Sequence, residues 1–188
     1  MQKLIAVNPE THDVVLDLVY ATSNNISGRP IYKRPICLLH HDAEVCLRQA
    51  VQLAAKSGCK LKIFDAFRPH EAQVALWETA VDKLYVADPE IGSNHTRGTA
   101  IDLTLVDANG VELDMGTGFD HMTSLSHHFS VQVSEVAQAN RLLLLKIMVQ
   151  AGFKHIPQEW WHYELPQHDS HSLIDSAILG TLNPMHPA

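Results

Sequence analysis

The chain of 188 residues carries 21 acidic and 14 basic side chains, for a formal charge of −7, with 46% hydrophobic and 19% charged residues. This length and balance suit a single soluble domain over residues 1–188, large enough to bury a real core. The acidic excess argues against a nucleic-acid surface, which needs a clustered positive field, and favours small polar substrates or metal ions as partners.

The N-terminal stretch MQKLIAVNPETHDVVLDL has no continuous apolar run and carries Glu10, Asp13 and Asp17 early. Neither a signal peptide nor a membrane span is expected, and the cytoplasm is the default location. HDAEVCLRQAVQLAAKSGC predicts a helix capped by Asp42, with Val45, Cys46, Ala50, Leu53 and Ala54 inward and Gly58 as the stop. KLKIFDAFR follows as a strand in which Leu61 and Ile63 alternate with lysines. PHEAQVALWETAVDKLY opens with Pro69 in the first helical turn and reads as a second helix.

TAIDLTL is a strand with Ile101, Leu103 and Leu105 on one face and Ala100, Asp102 and Thr104 on the other. Asn109-Gly110 then signals a tight turn and a hairpin. SEVAQANRLLLLKIMVQAGF is the strongest helix, capped by Ser134, ended by Gly152 and expected to bury its Leu142–Leu145 run. EWWHYELP is a short aromatic strand closed by Pro166. The hairpin points to antiparallel pairing, hence to an α+β fold rather than a doubly wound sheet. Cys37, Cys46 and Cys59 form no Cys-x-x-Cys pair and read as small hydrophobes in a reducing compartment.

Histidine is over-represented, with 13 residues. His40–His41, His127–His128 and His186 are expected at the surface or at caps. His95 is different. It stands in SNHTRG, where Gly98 permits a sharp turn, and Asp102 follows on the adjoining strand beside small residues. The two can converge on a metal such as zinc, or form a hydrogen-bonded pair. His162 in EWWHYE offers a third ligand, which leaves a fourth position open for water. Glu159 lies three residues before it and can act as a base only if a turn or bulge brings it to the same face. Arg68, between a strand and a helix, can either stabilise an oxyanion or pair with a surface carboxylate.

Together these motifs resemble one family. SNHTRGTAID fits Ser-x-His-x-x-Gly-x-Ala-x-Asp and EWWH fits Glu-x-Trp-His, the zinc motifs of the D-alanyl-D-alanine peptidases. FDAFRP, DMGTGFD and IYKRPICLLH narrow the resemblance to the VanX-type dipeptidases, over about Leu16 to Pro166. Phe64 and Phe67 stand where relatives often carry tyrosine.

The resemblance implies a small antiparallel sheet flanked by helices, with one zinc ion on the sheet. It implies His95, Asp102 and His162 as ligands, Glu159 as general base and Arg68 as oxyanion stabiliser. Asp120 would hold the free ammonium of a small dipeptide substrate, and Ser93, Tyr20 and Tyr32 would line the pocket. Two other readings stay open: a zinc D,D-carboxypeptidase or endopeptidase on longer peptidoglycan stems, and a zinc-stabilised binding module without turnover. Oligomeric state is left open.

Overall fold

The computed structural model describes residues 4–187; Met1 to Lys3 and Ala188, which the single-domain expectation includes, lie outside them. The chain forms β1 (Leu4–Val7), α1 (Pro9–His12), β2 (Val15–Leu16), β3 (Cys37–His40), α2 (His41–Lys56), β4 (Lys60–Asp65) and α3 (His70–Thr79). β5 (Ala100–Val106), α4 (Glu135–Gln150), β6 (Lys154–Ile156) and β7 (Glu159–Glu164) complete it, with short 3-10 turns between. β1 and β3 pair as an antiparallel ribbon, and the main sheet has the order β2-β4-β5-β7-β6.

The sheet is mixed rather than purely antiparallel. Val15 and Leu16 of β2 run parallel to Lys62 and Ile63 of β4, whereas the other neighbours are antiparallel. A long connection, including β3 and α2, separates β2 from β4 and so allows the parallel return. The Asn109-Gly110 turn is present, but beyond it only a Val106–Glu112 bridge continues the pairing. Asp107 Oδ1 accepts from the Asn109 and Val111 amides and closes the turn locally.

Ile101, Leu103 and Leu105 enter the main core with Leu61 and Ile63, under Leu47 and Ala50 of α2 and Leu144, Ile147 and Met148 of α4. Ser134 caps α4 by accepting from the Ala137 amide, a contact typically worth about 1 kcal/mol. Several boundaries differ from expectation. His40, not Asp42, caps α2; its ring accepts from the Asp42 amide. The buried stripe of α2 is Ala43, Glu44, Leu47, Ala50 and Ala54, while Val45 is exposed. Only Leu144 of the four-leucine run is fully buried, and Leu142 is over half exposed, because the sheet covers one side of α4. α3 stops at Thr79, and Pro69 is its N-cap rather than its first helical residue.

Two register breaks position the site. On β4, Ile63 pairs with Leu103 but Asp65 pairs with Asp102, so a bulge brings Asp65 level with Asp102. Asp102 also pairs with His162. Asp65, Asp102 and His162 therefore lie on one rung across three neighbouring strands. The second break is on β7, where His155 pairs with Tyr163 but the next residue, Ile156, pairs with Glu159.

Candidate metal centre

His95 is carried by the loop before β5. The Arg97, Gly98 and Thr99 amides bond back to the Ser93, His95 and Asn94 carbonyls, and the Ser93 hydroxyl accepts from the His95 amide. Gly98 has φ 71°, and a Cβ there would meet Leu4 Cδ2 at 2.8 Å and the His40 nitrogen at 3.0 Å. Both its conformation and its surroundings demand glycine.

His95, Asp102 and His162 are all buried, and their donor atoms converge. His162 Nδ1 lies 3.0 Å from Asp102 Oδ1, His95 Nε2 lies 3.2 Å from His162 Nδ1, and His95 Nε2 lies 3.3 Å from Asp102 Oδ2. A tetrahedral ion with bonds of about 2.0–2.1 Å spaces its ligands by about 3.3 Å. These separations, two of them taken to different oxygens of Asp102, are close to the ligand spacing of such a site.

The outer nitrogens fix the tautomers. His95 Nδ1–H donates to the Ala66 carbonyl at 2.7 Å, and His162 Nε2–H donates to Glu164 at 3.0 Å. In the neutral form that a bound cation requires, each ring turns its lone pair inward, where the two nitrogens meet at 3.2 Å with a carboxylate beside them. Three inward lone-pair donors call for a cation. Burial works against charge on His162, yet Asp102 and Glu164 outweigh it and push its pKa up to about 10, so a positive charge is favoured there. Burial likewise opposes ionisation of Asp102, but His95 and His162 hold its carboxyl below the usual range.

Glu159 reaches this centre through the break on β7. Its Oε2 lies 4.0 Å from His162 Nδ1, although strict alternation would place the two on opposite faces. Burial pushes the Glu159 carboxyl up to about 8, His162 pulls it down and Asp102 pushes it up again. It is poised to exchange a proton near neutrality.

Arg68 is not a surface arginine. It is 7% exposed, with Nε 2.8 Å from Asp65 Oδ2, Nη1 2.9 Å from Gln73 Oε1 and Nη2 3.5 Å from Asp102 Oδ2. Its guanidinium lies 5.0 Å from the Tyr20 ring centre, and Tyr20 donates to Asp120 Oδ2 at 2.9 Å. Asp120 adopts φ 58°, a left-handed conformation that aspartate tolerates better than most residues. Burial raises its pKa to about 7, Asp102 adding to the effect while Arg68 opposes it.

A cavity of about 340 Å³ joins these groups, near the small end of ligand pockets. Tyr20, Arg68, Ser93, His95, Asp102, Asp120, Glu159 and His162 line it; Tyr32 does not. Tyr32 stands behind the wall and donates to Asp65 at 2.7 Å, so it supports the partner of Arg68 rather than facing the cavity. Sequence reasoning missed Asp65, Gln73 and Glu164. Glu164 accepts from His162, from Asn94 at 2.6 Å and from Lys154 at 3.0 Å, tying His162 to two further segments. Its strand face, shared with His162, was the available signal.

A buried His–Asp–His cluster with a carboxyl at the edge of a small cavity is the arrangement a metal-dependent hydrolase would use. The comparisons agree. The chain belongs to the peptidase M15 family described as D-ala-D-ala dipeptidase, which matches residues 1–179, and it is thus a metallopeptidase. It is 50% identical over 162 residues to a D-alanyl-D-alanine dipeptidase of Escherichia coli K12, covering 86% of this chain and 84% of that one. A D-alanyl-D-alanine dipeptidase of Enterococcus faecalis is 33% identical over 178 residues, covering 82% and 87%. One from Streptomyces coelicolor is 31% identical over 175 residues, covering 80% and 85%. Among the described residues no helix is long and apolar enough to cross a membrane.

Proposed function

We propose that this protein hydrolyses the dipeptide D-Ala-D-Ala, with zinc held by His95, Asp102 and His162. The observation that carries the reading is the buried convergence of His95, Asp102 and His162 beside Glu159, in a cavity that also holds Asp120. Zinc held there would supply Lewis acidity toward the scissile carbonyl and make a water acidic. Glu159 takes the proton of the attacking water and returns it to the leaving amine, a pair of transfers suited to a carboxyl shifted to about 8. Arg68 faces the oxygen on which negative charge develops, and Asp65 and Gln73 hold its guanidinium so that no reorientation is needed during the reaction.

Asp120 pairs with the free ammonium of the substrate, and Tyr20 orients it. An acylated or longer substrate leaves that carboxylate without a cation, which is how a dipeptidase rejects stems that a carboxypeptidase would accept. Ser93 shapes the cavity wall while holding the His95 loop. A non-catalytic zinc module would need neither Glu159 nor the anchored Arg68.

The test compares hydrolysis of D-Ala-D-Ala, its N-acetylated form and L-Ala-L-Ala, with and without chelator, in wild type and Glu159→Gln. The variant should keep its metal and lose about 10²–10⁴-fold in kcat. Full activity without metal or in the variant would refute the mechanism, and equal turnover of the N-acetylated substrate would point to the carboxypeptidase reading.

A further inference from the structure

A second group of metal-donor side chains meets outside the catalytic cavity, where the start of α2 faces the segment after β7. His40 ends β3, Asp42 lies in the first turn of α2, and His171 arrives 129 residues after Asp42. His171 Nε2 is 3.0 Å from Asp42 Oδ2, and His40 Nδ1 is 3.6 Å from the same oxygen. The imidazoles stand edge to face with centres 4.5 Å apart. One donor atom from each of the three residues can be chosen so that all lie within 4.8 Å of one another. His41 Nδ1 approaches the other Asp42 oxygen at 3.3 Å. The His40 and His171 side chains are each only 12% exposed, whereas Asp42 is 58% exposed.

The bonding around His171 identifies its available atom. Nδ1 lies 3.2 Å from the Gln167 carbonyl, which can only accept, so Nδ1 carries the proton. The neutral ring then directs the Nε2 lone pair at a carboxylate oxygen, a pairing of two acceptors that a proton or a metal cation must reconcile. Arg97 donates to the His171 carbonyl, so the segment is anchored independently of Asp42.

We infer that His40, Asp42 and His171 form a second site for a divalent transition cation such as zinc, clamping residues 167–171 to the start of α2. Two imidazoles and one carboxylate suit zinc and its neighbours, whereas magnesium and calcium require oxygen ligands throughout. Its wider donor spacing and exposed carboxylate make it weaker than the catalytic triangle.

Untagged, chelator-treated protein titrated with zinc by calorimetry, with bound zinc counted by elemental analysis, tests this. Two events per chain are expected. His171→Ala should abolish the weaker event, or weaken it beyond the roughly 10–100-fold typical of losing an outer-shell partner, while leaving dipeptide hydrolysis intact. His162→Ala should spare the weaker event, so failure of the catalytic reading leaves this one standing. Magnesium should give no binding heat. A single event in wild type, or two that both survive His171→Ala, overturns the inference and makes the His171–Asp42 contact an ion pair only.

Discussion

Asp120 sits in the left-handed region with a pKa near 7, so its charge is expensive and its backbone restrictive. The sign of the effect on stability follows. A carboxyl raised above its unfolded value costs native stability when ionised; the cost begins as pH rises past about 4 and is complete above about 7. Asp120→Asn keeps a residue suited to positive φ and removes that cost. The variant should gain on the order of 1–3 kcal/mol at pH 8 and progressively less toward pH 5, measured by denaturant unfolding. Its kcat/KM for the free dipeptide should collapse, and in wild type kcat/KM should fall below about pH 8 as Glu159 protonates and more steeply below about 7 as Asp120 follows. An Asn variant no more stable at pH 8 than at pH 5, relative to wild type, would refute the argument. Arg68→Ala should lower kcat by about 10²–10³-fold, as for other oxyanion donors. Unchanged kcat would leave Arg68 as a structural anchor for Asp65 and Asp102.

At the scale of elements, the candidate donors His95 and Asp102 were legible because they sit with Gly98 in one loop and strand, where local chemistry suffices. Glu159 was not. Its access depends on the pairing of β6 with β7, and a break between paired strands leaves no trace in the period of either one. The bulge that lifts Asp65 beside Asp102 was hidden for the same reason. Tyr32 was placed in the pocket by resemblance, and its true partner, Asp65, became visible only with tertiary contacts. The cap of α2 shifted from Asp42 to His40 because a histidine ring can also accept an amide proton. Glu164, at the end of β7, orients His162 from outside the donor triangle. Glu164→Gln should weaken metal affinity by about 10–100-fold with little change in Tm of the metal-loaded protein, and unaltered affinity would deny it that role.

At the scale of the whole molecule, binding at the His–Asp–His cluster and folding should be one linked process, since His162 meets Asp102 only through the pairing of β5 with β7. Chelation should lower Tm by about 5–10 °C, and zinc should restore it, if wild type is normally held at roughly 100-fold above its dissociation constant. A Tm indifferent to chelator would separate the site from the fold.

The rung through Asp65, Asp102 and His162 also sets an order of events during synthesis. β7 is made after β5 yet lies between β5 and β6 in the sheet. A nascent chain that has emerged as far as Asp102 holds two of the three donors and no closed site. The three candidate donors are brought together only when β7 takes its place between β5 and β6, so the site cannot close while β7 is still unmade.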